Sequence, residues 1–232
     1  MEEAKKYVTA EPYPWPYNGN LSPENTALIV IDMQLDFVGK DGYIDSMGYD
    51  LSLTRKPIEP IQNVLECMRA QGYHIFHTRE GYRSDLSDCP VNRIWRTKQV
   101  GGEIGSPGPL GRLLIRGEKG WDIIPELYPL KDEIVFDKPG RCSFVHTDLQ
   151  LILQNKGIKN LILTGVTTDV CVHSTMRIAD DYGYECLLLQ DCCAATELEN
   201  HLAAINQVKT EGGVFGAVST SKDLIDALTS NK

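Results

Sequence analysis

Short, fully apolar stretches alternate along the chain with longer stretches in which apolar residues recur at helical spacing. The apolar stretches predict six β-strands, at 26–32, 74–78, 133–137, 160–164, 185–189 and 213–218. Helical spacing predicts helices at 58–71, 148–155, 170–182, 197–210 and 221–228. Apolar strands separated by helices are typical of a parallel sheet covered on both faces. The pattern therefore predicts an α/β fold with three layers, in which a mainly parallel six-stranded sheet carries helices on both faces.

Two segments do not follow this pattern. Residues 1–25 combine closely spaced prolines with the aromatic residues Tyr13, Trp15 and Tyr17, which excludes a helix and disfavours a central strand. We expect this segment to be an extended arm whose aromatic side chains pack on a single domain formed by residues 26–232. The long stretch between His77 and Glu133 has little periodicity, and a loop of such length is usually functional or contains small elements of its own.

Composition and charge exclude several classes of protein. The chain has 232 residues, of which 42% are hydrophobic and 24% charged, as in soluble globular domains. A net charge of −9 argues against binding to nucleic acid or to an anionic membrane. The apolar runs are far shorter than the roughly 20 residues of a membrane span, and the N-terminus lacks the apolar core of a signal peptide. With seven cysteines and no CxxC spacing, the sequence predicts a cytoplasmic protein with reduced thiols.

Three residues with complementary chemistry lie at the predicted carboxyl ends of strands, where ligands bind in sheets of this type. Asp32 ends the first strand and Lys138 follows the third. Cys171 follows a short polar turn and begins a predicted helix, whose N-terminus is expected to lower the pKa of the thiol. A cysteine nucleophile, a carboxylate base and a cation together predict a covalent acyl-transfer site.

Backbone groups complete this predicted site. The N–H groups of Thr167 and Cys171 lie on the turn and at the start of the helix, where they could form an oxyanion hole. The other six cysteines are expected to be structural, although a role in the site stays open for Cys192 and Cys193 at the end of the fifth strand.

Three motifs, ALIVIDMQLDF, FDKPG and LTGVTTDVCVHSTMRIADDYGY, resemble those of the isochorismatase-like cysteine hydrolases in the same order. The resemblance implies that family's fold, a catalytic triad of Asp32, Lys138 and Cys171, and a cis peptide bond between Val166 and Thr167. Further stretches, including EPYPWPYNG, HTREGYR and HLAAINQVKTEGGVFGAVS, are similar to the biuret hydrolase branch. The implied activity is hydrolysis of a terminal C–N bond in a small linear urea, with a covalent thioester intermediate and release of ammonia.

One departure from the biuret branch bears on the substrate. Glu211 stands where that branch has glutamine, and an ionised glutamate only accepts hydrogen bonds. This favours triuret, which would give carboxybiuret, over biuret, which would give allophanate; the alternative is that Glu211 faces solvent. Phe37 is expected to form an apolar wall of the pocket, and Arg79 and Arg141 are candidate polar contacts with the substrate.

Other interpretations are weaker. The five histidines form no cluster of metal ligands, so neither a catalytic metal nor another cofactor is expected. A binding module on a flavodoxin-like sheet is disfavoured because DMQLDF, not a glycine-rich loop, follows the first strand. A ureidoacrylate-type or other carbamoyl amidohydrolase remains the alternative function. The family resemblance also implies a homo-oligomer, either a tetramer or a dimer.

Overall fold

The computed structural model describes residues 5–230, so residues 1–4 of the predicted arm and the last two residues of the predicted domain lie outside it. The strands are β1 Thr26–Ile31, β2 His74–Glu80, β3 Pro107–Gly108, β4 Gly111–Arg112, β5 Ile134–Lys138, β6 Asn160–Val166, β7 Glu185–Ala194 and β8 Ala217–Ser219. The helices are α1 Leu35–Val38, α2 Tyr43–Ser46, α3 Leu51–Arg55, α4 Ile58–Ala70, α5 Val91–Gln99, α6 Leu149–Asn155, α7 His173–Asp181, α8 Leu198–Lys209 and α9 Ser221–Thr229.

Six of the strands form one parallel sheet in the order β5-β2-β1-β6-β7-β8. The strand order changes direction on either side of β1, which pairs with both β2 and β6. Ligands bind at such a reversal, outside the carboxyl ends of the strands. The predicted six-stranded α/β sheet is confirmed.

Alternate residues of β1 separate the core into two layers. Leu28 and Val30 belong to an apolar cluster that includes the buried faces of α4 and α9. Ala27, Ile29 and Ile31 belong to a second cluster with the buried faces of α6, α7 and α8. Because side chains alternate across a strand, a strand that is apolar at every position packs against helices on both faces.

The last predicted strand is wrong in its extent. The prediction placed it at 213–218, but β8 contains only Ala217–Ser219. Gly213 and Gly216 have φ angles of 101° and 126°, so the backbone between them turns instead of extending. A Cβ atom on Gly216 would also clash with the carbonyl oxygen of Cys186 on β7. Gly216 thus allows the turn to approach β7 closely, and the positive φ of Gly213 allows the turn itself.

The unpatterned stretches of the sequence contain small elements that were not predicted. Between β2 and β5 the chain forms α5 and a hairpin of β3 and β4. After β1 it forms three helices of four or five residues, α1, α2 and α3. Elements of two to five residues carry no readable periodicity, yet α1 and α2 bury apolar side chains, among them Phe37, Tyr43 and Ile44.

The described part of the N-terminal segment lies against the body of the protein. Trp15 is fully buried, and its backbone pairs with Val8. Glu11 pairs with Val218 of β8 at the edge of the main sheet. None of the helices within residues 5–230 has the length and apolar character needed to cross a membrane.

Candidate active site

Neighbouring strands bring three charged side chains to one edge of the sheet. Asp32 directly follows β1, while Glu80 and Lys138 are the last residues of β2 and β5 and lie opposite each other in the strand pairing. All three are almost completely excluded from solvent. Burying isolated charges is very unfavourable, so these groups have to pair with one another.

Asp32 and Lys138 form the shortest ion pair of this group. The Lys138 ammonium donates hydrogen bonds to Asp32 Oδ2 at 2.6 Å and to the carbonyl oxygen of Gly140 at 2.7 Å. Thr78 donates its hydroxyl proton to Asp32 Oδ1 at 2.7 Å. Both oxygens of the Asp32 carboxylate are therefore held in place, which fixes its orientation toward the site.

Cys171 lies on an irregular helical turn, Thr168–Val172, that connects β6 to α7. Its Sγ donates a hydrogen bond to Glu80 Oε2 at 3.5 Å. The thiol sulfur and carboxylate oxygens of Asp32 and Glu80 all lie within 4.8 Å of one another. The structure thus brings the three predicted catalytic side chains together and adds Glu80 to them.

The turn before Cys171 has the predicted backbone form. The peptide bond between Val166 and Thr167 is cis, as the family resemblance implied. The Thr167 carbonyl accepts hydrogen bonds from the N–H groups of Val170 and Val172, at 3.2 Å and 3.1 Å. Thr167 and Cys171 face the same cavity. Their role as an oxyanion hole stays a prediction.

The prediction that the helix N-terminus lowers the pKa of the Cys171 thiol is wrong. Burial raises the pKa of Cys171 well above its usual value, and the carboxylates of Asp32 and Glu80 add to this effect, while Lys138 opposes it. The sequence suggested the opposite direction because it shows the helix start but not the depth of burial. Cys171 therefore rests as a thiol and needs a base to become nucleophilic.

The two carboxylates differ in their affinity for a proton. Burial raises the pKa of Asp32, although Lys138 partly offsets this, and nearby Glu80 raises it further. Lys138 and Arg141 outweigh burial at Glu80 and lower its pKa. Asp32 is thus the carboxylate that accepts a proton more readily, whereas Glu80 remains ionised. The same two carboxylates hold the pKa of Lys138 above its usual value despite burial.

Cys171 opens onto a small cavity of about 230 Å³. This volume is below the roughly 300–1,000 Å³ that is usual for drug-sized ligands. One wall is apolar and comes mainly from α1 and α2 with the turn that follows: Phe37, Tyr43, Ile44, Met47 and Tyr49. Val170 and the following residues complete the lining: Glu80, Arg141, Thr167, Asp169, Cys171 and Thr196. The cavity suits a small polar molecule.

Phe37 and Arg141 lie where the sequence prediction expected a wall and a polar contact. Phe37 is buried at the cavity and contacts Tyr43 edge to face. Arg141 donates from Nη1 to Glu80 Oε1 at 2.9 Å and remains partly exposed. Their contact with substrate stays a prediction.

Arg79 and Glu211 do not line this cavity. Adjacent residues of a strand point to opposite faces, so Arg79 turns away from the site where Glu80 turns toward it. Arg79 pairs with Asp137 at 2.8 Å and stacks over Trp121. Glu211 is exposed on the turn after α8, with a φ of 54°. Neither residue lines the cavity at Cys171 in this chain, and their contact with substrate stays a prediction.

Glu80 is the residue that the sequence interpretation did not assign to the site. The second strand was predicted to end at Thr78, which left the following residues without a defined direction. In the structure β2 continues to Glu80, and Gln34 fixes its backbone by accepting from the Glu80 N–H at 2.7 Å and donating to its carbonyl at 2.9 Å. Side chains alternate between the two faces of a strand, so extending the predicted strand by two residues would have placed Glu80 on the same face as Thr78.

The arginines provide a matched pair of variants. Arg141→Met is expected to lower kcat/KM by about 10- to 100-fold, because it removes a charged hydrogen-bond donor from the cavity and leaves Glu80 less well paired. Arg79→Met, a control with the same chemical change, should alter kcat/KM by less than about threefold, since its pairs are partly exposed. Steady-state ammonia release measures both; equal losses would contradict the placement of the two residues.

Asp32, Glu80 and Cys171 also carry ligand atoms of the kind that bind metal ions. The Lys138 ammonium lies 2.6 Å from Asp32 and 3.7 Å from Glu80, and it supplies there the positive charge that a metal would otherwise provide. The expectation that the reaction needs no metal stays a prediction.

Comparisons with known proteins agree with this fold. Residues 26–223 match the Isochorismatase domain family. The ureidoacrylate amidohydrolase RutB of Acinetobacter baylyi is 33% identical over 91% of this chain and 87% of its own length. A cysteine hydrolase from Pseudomonas syringae has a similar structure, with a TM-score of 0.75, 25% identity and 98% of each chain covered. The N-carbamoylsarcosine amidase of Thermoplasma acidophilum matches with a TM-score of 0.65 and 25% identity, over 85% of this chain and 96% of the amidase.

Proposed function

Because the chain belongs to the isochorismatase family of cysteine hydrolases and hydrolyses C–N amide bonds, we propose that it cleaves the terminal amide of a small, neutral ureido compound, with triuret favoured and biuret next. The products from triuret are carboxybiuret and ammonia, and those from biuret are allophanate and ammonia. Glu211 does not line the cavity of this chain, so its contact with the substrate, and the preference for triuret that it would favour, stay predictions.

One observation carries the choice of a neutral substrate. Both cations at the site are already paired with carboxylates, Lys138 with Asp32 at 2.6 Å and Arg141 with Glu80 at 2.9 Å. A substrate carboxylate would enter a small cavity without an uncommitted cation, and an unpaired charge in such a place is unfavourable. Linear ureas carry no charge and present several N–H and carbonyl groups, which suits this surface.

The first half of the proposed reaction forms a covalent intermediate. Asp32 accepts the proton of Cys171, and the sulfur attacks the terminal carbonyl carbon of the substrate. The N–H groups of Thr167 and Cys171 stabilise the oxyanion. Asp32 then returns the proton to the departing nitrogen, the C–N bond breaks and ammonia leaves. The raised pKa of Asp32 suits this role, because it brings the carboxyl group closer to the working pH, where a group that both takes and gives a proton is more effective.

The second half regenerates the enzyme. A water molecule that loses its proton to Asp32 attacks the thioester carbonyl and releases the carboxylated product, and the proton then returns to the sulfur. Lys138 keeps Asp32 oriented throughout and offsets the negative charge that develops on sulfur. A reducing compartment such as the cytoplasm suits this chemistry, since an oxidised sulfur could not attack, and all seven cysteines are free thiols.

A second candidate is an amidohydrolase of the ureidoacrylate type. The 33% identity to a ureidoacrylate amidohydrolase favours it, and so does the presence of Arg141 at the cavity. Binding of that substrate's carboxylate would require Arg141 to share its guanidinium between Glu80 and the ligand. Assembly into a homotetramer or dimer stays a prediction.

A panel of amides separates the two candidates. We expect kcat/KM for triuret to exceed that for biuret, and the value for each to exceed those for ureidoacrylate and nicotinamide. Ammonia release under matched conditions measures all four substrates. A kcat/KM for ureidoacrylate above that for triuret would contradict the neutral-substrate proposal and support the second candidate.

A further inference from the structure

Asp169 lies on the same turn as Cys171, two residues before it, and lines the same cavity. Its Oδ1 atom is buried and accepts no hydrogen bond from any part of the chain that the structure describes. The carboxylate also makes no ion pair among the described residues. A carboxylate can only accept hydrogen bonds, so Oδ1 lacks a donor among the described residues and is free to accept one from a ligand.

The neighbouring cations do not supply that donor. Lys138 donates to Asp32 and to the Gly140 carbonyl, and Arg141 donates to Glu80 and to the Tyr82 hydroxyl. The hydroxyl of Thr168, the residue before Asp169, is engaged with His201 Nδ1 at 2.8 Å. Asp169 is therefore the uncommitted acceptor among the charged side chains of the cavity.

We propose that Asp169 determines specificity by accepting hydrogen bonds from the N–H groups of a neutral ureido substrate and by repelling substrates that carry a carboxylate. A urea unit presents two N–H groups on one edge, and the two oxygens of a carboxylate can accept both. Rotation of the carboxylate about its Cβ–Cγ bond exchanges Oδ1 and Oδ2, so either oxygen can face the ligand. The inference rests on the proposed function and extends it by naming the residue that selects the substrate class.

The repulsive part of this role follows from the charges at the cavity. Three carboxylates, Asp32, Glu80 and Asp169, face two cations, Lys138 and Arg141. The group therefore carries an excess of one negative charge, and that charge belongs to Asp169 because the other two carboxylates are paired. Specificity often depends on such a repulsive element as well as on an attractive contact.

Kinetics of Asp169→Asn test the attractive and the repulsive contact together. We expect kcat/KM for triuret to fall by about tenfold or more, since an amide is a weaker acceptor than a carboxylate, while kcat/KM for ureidoacrylate stays constant or rises. The ratio of the two values should change by at least about tenfold. Asp181→Asn makes the same chemical change at an exposed position at the end of α7 and should leave the ratio unchanged. An unchanged ratio in Asp169→Asn would overturn the inference.

Alkylation of Cys171 tests the repulsive contact without any substrate. Iodoacetamide is neutral and iodoacetate is an anion, and both react with the same thiol. The ratio of the iodoacetate rate to the iodoacetamide rate, followed by mass spectrometry of the Cys171 peptide, should rise several-fold in Asp169→Asn and in Asp169→Ser but not in Asp181→Asn. The ratio cancels a general change in thiol reactivity, such as a shifted turn would cause.

The two experiments separate this inference from the proposed function. If the wild type cleaves linear ureas but neither ratio depends on Asp169, the inference alone fails. If the alkylation ratio depends on Asp169 but the wild type cleaves no linear urea, the proposed function fails while the repulsive role of Asp169 stands.

Discussion

Replacing Cys171 with alanine is expected to lower kcat/KM for amide hydrolysis by about 10⁴-fold or more, because loss of a covalent nucleophile removes the whole route through the acyl-enzyme. The fold should persist, since the change deletes one buried sulfur and leaves no charge without its partner. Ammonia release measures the activity, and circular dichroism with urea unfolding measures the fold. Mass spectrometry of the wild type, quenched during turnover, should find an acyl adduct on the Cys171 peptide.

A second cysteine provides the control for this variant. Cys186 is also fully buried, but it lies at the opposite end of the sheet, at the start of β7. Cys186→Ala should cost a comparable small amount of unfolding free energy, about 1 kcal/mol, and leave kcat/KM within about twofold of the wild type. Substantial ammonia release by Cys171→Ala would contradict covalent catalysis by this residue, and a similar loss in Cys186→Ala would trace the effect to destabilisation.

The raised pKa of Cys171 changes the mechanism that the sequence alone suggested. A thiolate formed in advance would need no base, whereas a buried thiol beside two carboxylates does. Asp32 must be ionised to act, and its pKa is itself raised by burial. We therefore expect the acid limb of the pH dependence of kcat/KM to lie above the usual range of an aspartate.

The sheet and the positions of Asp32, Lys138 and Cys171 could be predicted because they follow from the periodicity of the apolar residues. Fully apolar strands indicate a covered parallel sheet, and the polar residues that follow Ile31 and Val166 necessarily reach its carboxyl edge. Glu80 escaped prediction because HIFHTRE continues two residues beyond its apolar part. Its importance depends on partners from β5 and from the loop after β5, and pairing between strands so distant in sequence is not visible in a single strand.

The remaining differences also have physical causes. Arg79 and Arg141 are equivalent in the sequence as arginines near strand ends, but the direction of each side chain depends on strand alternation and on its ion-pair partner. The extent of β8 depends on Gly213 and Gly216, which can adopt positive φ angles that interrupt an apolar run. The direction of the Cys171 pKa shift depends on burial, which is a property of the whole fold.

Lys138→Met is the second variant with a large expected effect, since it leaves Asp32 and Glu80 buried without the cation between them. Removal of one partner from a buried ion pair is expected to lower the free energy of unfolding by about 3–5 kcal/mol near neutral pH. Activity should fall by about 10³-fold or more, because Asp32 loses its orientation and the charge on sulfur is no longer offset. Urea unfolding and ammonia release measure the two effects.

The unfolding free energy of the Lys138→Met variant should depend on pH in a direction that follows from the remaining carboxylates. Without Lys138, burial and repulsion from Glu80 raise the pKa of Asp32 in the folded state further above that in the unfolded chain, while Arg141 still pairs with Glu80. The folded state then binds protons more tightly, so protonation stabilises it as the pH falls through the raised value. The loss of unfolding free energy relative to the wild type should therefore be smaller at pH 5.5 than at pH 8. A loss that grew toward low pH would contradict the charge pairing of Lys138 with these carboxylates.

A double variant separates stability from catalysis at the same site. Lys138→Met combined with Asp32→Asn removes one charge of each sign, so the unfolding free energy should recover much of what Lys138→Met alone loses, and the two changes should not be additive. Activity should not recover, because the double variant lacks the base that takes the Cys171 proton. Recovery of stability without recovery of ammonia release would show that the Lys138–Asp32 pair stabilises the fold at this site and that restored stability alone does not restore catalysis.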